Sequence, residues 1–312
     1  MIHWKLPRES TSIAKGIAIL LVLCSHLHIP DGTGTWGVAI FLFLSGYGVM
    51  ESYLKYGLSS YISKRFSHVY WPFILITAIV VAIDSITGRA VDFPNLLLSI
   101  LLLTNLVKTD PSLWFIQFII VYYLAFYAAF KAGRNTMQSC LMMFLLSLIL
   151  FVLYANLSKS PAFVMVQCFQ FPLGVAVSII CNSKNEFVTT RNLLIITFAL
   201  SIAIISVAFI FKKPFIIELI RINIATVVVV AITSRIRGVV SGLLGYIGDL
   251  SFDIYLVEWL VISKYPFIHG IIQNQLPSIA ICFIEVMLVA ILFAKTRTLV
   301  ALNIRSAISR AE

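Results

Sequence analysis

The residue best suited to chemistry in this chain is His26. It ends the segment RESTSIAKGIAILLVLCSH, where an apolar run surrounds an imidazole. Imidazole titrates near neutral pH and can take a proton from a hydroxyl, and a polar side chain inside an apolar span is costly without a purpose. Its other reading is a histidine hydrogen-bonded to a neighbouring helix. Lys15 lies eleven residues earlier. That spacing is about 16 Å along a helix and close to three whole turns, so the two share nearly one face. A second group, Lys64, Arg65 and His68, is set in KRFSHVYWPF. It reads either as a topology signal or as a clamp for the phosphates of a nucleotide-bearing donor, which Arg and Lys suit. Glu218 and Arg221, three apart, can pair on one helix face, as a structural ion pair or as part of an anion or hydroxyl site. Asp249, Ser251, Asp253 and Glu258 gather in GYIGDLSFDIYLVEW, where Gly245 and Gly248 could break a helix and let backbone line a cavity. Asp253 and Glu258 are five apart and share no face well, and Glu285 reads as a packing contact. Walker, GxGxxG, HExxH and GxSxG patterns are lacking, and Ser45 in FLSG does not match a nucleophile elbow.

These residues must be held by membrane helices. Of the 312 residues, 60% are hydrophobic and 12% charged, and the mean hydropathy is +1.00. A soluble domain is nearer half apolar and a quarter charged, so a soluble enzyme and a disordered chain are both excluded. The apolar runs are 13–30, 36–54, 69–87, 95–107, 113–131, 139–156, 163–181, 192–211, 215–233, 239–263 and 277–294. In lipid they must be helical, because an open sheet leaves backbone unsatisfied. The run 95–107 reaches only about 20 Å against a core of about 30 Å. The expectation is therefore an all-α, polytopic protein: about ten transmembrane helices and a short re-entrant helix near 95–107, in one domain over 1–312. The basic N-terminus resembles a signal peptide, but SHLHIPDG lacks a clear cleavage site, so the first run is read as a retained span. The five cysteines lie in or beside apolar runs without metal-ligand spacing and read as core residues.

Charge supports this topology. With the N-terminus inside, segments assigned to the cytoplasm hold 16 Lys and Arg and external segments hold 6, with Arg221 inside a span completing the 23. A spanning 95–107 would invert every later loop and erase the bias. The positive-inside rule thus favours ten spans with both termini cytoplasmic, and the net charge of +10 reads as topology rather than nucleic-acid binding.

Five segments in order, across about 80% of the chain, together resemble the acyltransferase 3 family of membrane O-acyltransferases. They are residues 8–26 with Arg8, Lys15 and His26; WGVAIFLFLSGYGV with Gly37, Phe41, Ser45 and Gly46; the basic loop KRFSHVYWPF; SLWFIQFIIVYYLAF with Trp114, Phe115 and Tyr122; and LGYIGDLSFDIYLVEW. The chain departs from the family pattern at Lys15 for Arg, Ser12 for Asp, His68 at the second basic position of the loop, and Glu258 for a late His. The resemblance implies transfer of an acyl group, commonly acetyl from acetyl-CoA, to a hydroxyl of an envelope or exported carbohydrate, in the bacterial inner membrane. His26 would be general base or acyl relay. Lys15, Lys64, Arg65 and Arg8 would hold the donor, with Ser45, Glu218, Arg221, Ser251 and Glu258 as acceptor-site or structural residues. No cofactor or metal is expected, acetyl-CoA being a substrate; the partners are an acyl-CoA, a carbohydrate or lipid-linked glycan, and the bilayer. The rival reading is a transporter or flippase of an envelope precursor, weakened by the lack of an evident internal repeat.

Overall fold

Apolar runs become helices here because a helix satisfies its backbone within itself. The computed structural model describes residues 5–29, 31–89, 91–100, 114–156, 162–182, 213–266, 268–271 and 275–311, and among these every regular element is helical. In chain order they are α1 (Arg8–His26), α2 (Thr33–Tyr56), α3 (Tyr61–Ile86), α4 (Phe93–Ile100), α5 (Trp114–Ala132), α6 (Thr136–Asn156), α7 (Ala162–Met165), α8 (Gln170–Asn182), α9 (Lys213–Thr233), α10 (Val239–Asp249), α11 (Ser251–Lys264) and α12 (Gln275–Ala311). Five described helices are long and apolar enough to cross a membrane, or six if α10 and α11 form one broken span. The expected span at 192–211, and residues 101–107 of the expected re-entrant helix, lie outside the described residues. The remainder of that short run is helical within α4.

Two of the expected continuous spans are broken. The run 163–181 comprises the four-residue α7, a buried turn and then α8, which has 13 residues, too few to cross about 30 Å of hydrocarbon. The run 239–263 breaks at Leu250, not at Gly245 or Gly248, which both lie inside α10. Hydropathy is blind to both breaks, since apolar residues line either conformation. α12 instead runs past its apolar stretch to Ala311, as Arg, Leu and Ala are strong helix formers.

The described chain forms two compact units. The first comprises residues 1–61 and 122–249, the second 62–121 and 250–312.

In the first unit, helices meet through glycine. A Cβ on Gly248 would stand 1.7 Å from the Ser12 carbonyl oxygen, and one on Gly16 would stand 2.1 Å from that of Leu244, so α1 and α10 touch backbone to backbone. A Cβ on Gly37 would meet the Ala18 carbonyl oxygen at 2.3 Å, which seats α2 on α1. Gly46 and Gly174 do the same for α2 and α8, each facing a carbonyl oxygen at 2.0 Å. Small residues at crossings are how membrane helices gain contact without a hydrophobic driving force between them. The resulting order of packing is α10, α1, α2, α8, with α9 against both α1 and α2.

The second unit is fastened by charge. Arg297 on α12 donates to Asp253 on α11 at 3.0 Å, and Lys264 reaches Asp84 of α3 at 2.7 Å. Tyr265 also donates to Asp84, and burial beside that carboxylate pushes its hydroxyl up to about 12. Glu285 of α12 accepts from the backbone N–H groups of Ile268 and His269 and bonds the His269 ring. Glu285 is therefore a clamp on the loop before α12, more than the packing contact expected from sequence.

Candidate functional site

His26 is the last residue of α1 and is half-buried, while Lys15 lies half-buried on the same helix. The glycine contacts fix α1 on two sides, so the imidazole is carried by a rigid element rather than by a loop. Ser25 beside it abuts Gly34 at the start of α2, where a Cβ would meet the serine Cβ and Oγ at 3.1 Å. His28 lies beyond the helix and pairs with Asp31, with both side chains well exposed.

The start of α1 lines an open groove of about 810 Å³ against α10. Arg8, Glu9 and Ser12 come from α1; Arg237, Tyr246 and Asp249 face them. The charges are balanced and partly engaged already: Ser241 donates to Glu9 at 2.7 Å and Ser12 to Asp249 at 2.7 Å. Ser12, which stands where the resemblance leads one to expect an aspartate, is thus joined to a carboxylate brought by another helix. Gly238, Gly242 and Gly245 keep the wall low.

The basic loop read from sequence belongs to the second unit. Lys64 and Arg65 close the first turn of α3, and a π-helical stretch, Phe66–Tyr70, follows before the helix resumes at Trp71. Such one-turn π bulges re-aim side chains and are frequent at functional sites. His68 lies on this stretch, within electrostatic range of Arg65, Lys64 and also Arg297. Arg297 was assigned only to topology by the sequence reading. Its spacing from Asp253, 44 residues, carries no local signal that could have placed it here.

Other expected residues fall elsewhere. Glu218 and Arg221 form an ion pair of 3.6 Å in which the arginine side chain is 61% exposed, a surface pair on α9. Ser45 is half-buried on α2, one residue from the Gly46 that packs against α8. Ser251 and Glu258 are buried on α11, Glu258 completely. His26, Lys15, Arg8, Ser45, Glu218 and Arg221 thus belong to the first unit, and Lys64, Arg65, Ser251 and Glu258 to the second.

A polar feature absent from the sequence reading lies at the broken helix. Gln167 and Gln170 are wholly buried at the turn between α7 and α8. Gln167 donates to the Thr35 carbonyl at 2.9 Å, and Gln170 to Asn223 at 3.4 Å. The signal was available: two glutamines in QCFQF, inside an apolar run and just ahead of Pro172.

Comparisons with curated proteins and with solved structures give no match. A family model does match, described as an acyltransferase domain, over residues 10–295. That span takes in α1 with His26, the basic turn of α3, both glutamines and Asp253. With its apolar helices, this makes the protein a multi-pass membrane protein, and the chain belongs to the acyltransferase 3 family.

Proposed function

We propose that this protein transfers an acetyl group from acetyl-CoA to a hydroxyl of an envelope or exported carbohydrate, in the bacterial inner membrane with both termini in the cytoplasm. The observation that carries the reading is His26, a titratable ring closing a helix whose position is fixed by glycine contacts. As general base, it takes the proton of the acceptor hydroxyl while that oxygen attacks the thioester carbonyl. The C–S bond breaks, and the proton passes to the departing CoA thiolate, so charge and atoms balance. As an acyl relay, the ring would carry the acetyl group between donor and acceptor. Lys64 and Arg65, joined by Arg297, supply the cations that the donor's phosphates need. Lys15, on the helix of His26, offers a further one. Lysine there keeps the charge but lacks the bidentate fork of arginine.

The test is His26→Gln, which keeps hydrogen bonding and cannot titrate. Removing general-base assistance should lower acetyl transfer by about 10²–10⁴-fold. Protein accumulated in the membrane is measured beside activity and should be unchanged. Near wild-type transfer by this variant would return His26 to a packing role.

A further inference from the structure

The hydrogen bonds around Gln167 and Gln170 fix which way each amide points. The Thr35 carbonyl can only accept, so the nitrogen of Gln167 faces it and the oxygen faces away. Asn223 donates its own nitrogen to the Leu219 carbonyl at 2.7 Å, so its oxygen faces Gln170 and must receive that residue's nitrogen. Both chains of reasoning end on a bare acceptor. Gln167 Oε1 and Gln170 Oε1 are buried, and neither has a hydrogen-bond partner among the described residues. A buried acceptor left unmade is costly, and a protein normally fills it or removes it.

The surroundings point to a ligand. The two glutamines flank a turn that interrupts an apolar run, and the Gln170 N–H bonds the Gln167 carbonyl at 3.1 Å, so they lie one turn apart. Broken helices place polar groups inside membrane proteins where substrates bind. Gln167 holds the backbone of Thr35, and Gly34, its neighbour, abuts Ser25, which precedes His26. The glutamines are therefore at the His26 end of α1, in the same unit. An acceptor oxygen binds an O–H or N–H donor and gives no advantage to an anion, and the hydroxyl is the donor that the proposed acceptor supplies.

We infer that Gln167 and Gln170 form a binding subsite for a hydroxyl-rich ligand, each glutamine oxygen accepting from one hydroxyl. This rests on the proposed hydroxyl acceptor and names the residues that recognise it.

The probe is myo-inositol, which offers only hydroxyl groups, with its permethylated form as control, added to full-length protein in lipid nanodiscs. Inositol should raise the melting temperature of the wild type, and the permethylated compound should not. Gln167→Met and Gln170→Met should each weaken the apparent inositol affinity by about 2- to 10-fold, the worth of one neutral hydrogen bond. Gln167→Glu, neutral in an apolar core, keeps one donor and one acceptor and should retain the inositol response. That rescue separates recognition from mere packing, and it serves if a Met variant does not accumulate. Equal inositol affinity in all variants, or no response in the wild type, overturns the subsite. Loss of acetyl transfer in His26→Gln with inositol binding intact leaves it standing. Near wild-type transfer in that variant defeats only the role given to His26.

Discussion

In the groove of the first unit, Arg8 and Arg237 face Glu9 and Asp249, and serine hydroxyls already hold both carboxylates. Around His68 in the second unit lie three cations, Lys64, Arg65 and Arg297, the last of which donates to Asp253. The groove has room but no surplus charge. The cluster gathers three cations about His68, which lies on a π-helical stretch that follows Lys64 and Arg65. A CoA-type donor carries several phosphate charges, and three cations gathered about one histidine suit them better than a groove in which arginines and carboxylates are matched. Room and fitness for an anion are thus separate properties here, and the open groove is not the better phosphate site.

The largest expected effect comes from unmaking the committed pair. Asp253 is 1% exposed and accepts from Arg297. Asp253→Ala removes the buried carboxylate that Arg297, itself 29% exposed, donates to, and losing this charge-assisted hydrogen bond should cost about 1.5–3 kcal/mol of stability. It also takes a negative charge away from the cluster, so acetyl-CoA affinity, measured on the folded fraction, should hold or rise. A fall in affinity would mean that Asp253 aims Arg297 at the donor, a sharper version of the same assignment.

Arg65→Ala acts on the cluster itself. Losing one charge-assisted contact should cost about 1.5–3 kcal/mol, roughly 10- to 150-fold in acetyl-CoA affinity. The salt dependence of binding should weaken with it, because the contact is electrostatic. Unchanged affinity would return the loop to a topology signal and remove the contrast.

Gly248→Ala tests what holds the groove in shape. Its Cβ would fall 1.7 Å from the Ser12 carbonyl oxygen, so α1 and α10 must part. Overpacking of this kind costs about 1–3 kcal/mol. Thermal stability should drop by that amount, while donor affinity per folded molecule changes little. Any larger loss of affinity would place the groove in the donor site.

Much of this was legible in sequence, and the losses have physical causes. Runs 36–54 and 215–233 became α2 and α9 within a few residues of their expected ends, because apolar length alone sets such helices. The pairing of Glu218 with Arg221 followed from helical spacing. The break at residues 166–169 was not legible, since an apolar composition does not distinguish a continuous helix from an interrupted one, and the break that Gly245 and Gly248 suggested falls at Leu250, after both of them. Gly46 is part of a motif in the sequence, but its reason, a carbonyl oxygen of α8 that a Cβ would meet at 2.0 Å, needs the partner helix. Arg297 could not be drawn to His68 from sequence, as only the packing of α12 brings them near. Gln167 and Gln170 are plain in the sequence, but an uncharged amide gives no charge signal that sets it apart within an apolar run.

The smallest effect should come from the groove's arginines. Arg8 and Arg237 are exposed, and exposed ion pairs are worth about 0–1 kcal/mol. With Glu9 and Asp249 opposite them, an incoming phosphate would meet carboxylates as well as cations, and the two fields largely cancel across a Debye length of about 8 Å. Arg8→Ala and Arg237→Ala should therefore change acetyl-CoA affinity by less than about fivefold, the most that 1 kcal/mol allows. Their salt dependence should match the wild type, in contrast to Arg65→Ala. The measurement is a titration of acetyl-CoA at two ionic strengths on all three variants. If Arg8→Ala alone loses tenfold or more and flattens the salt slope, the donor's phosphates sit in the groove, and the cluster around His68 takes over the role of topology signal.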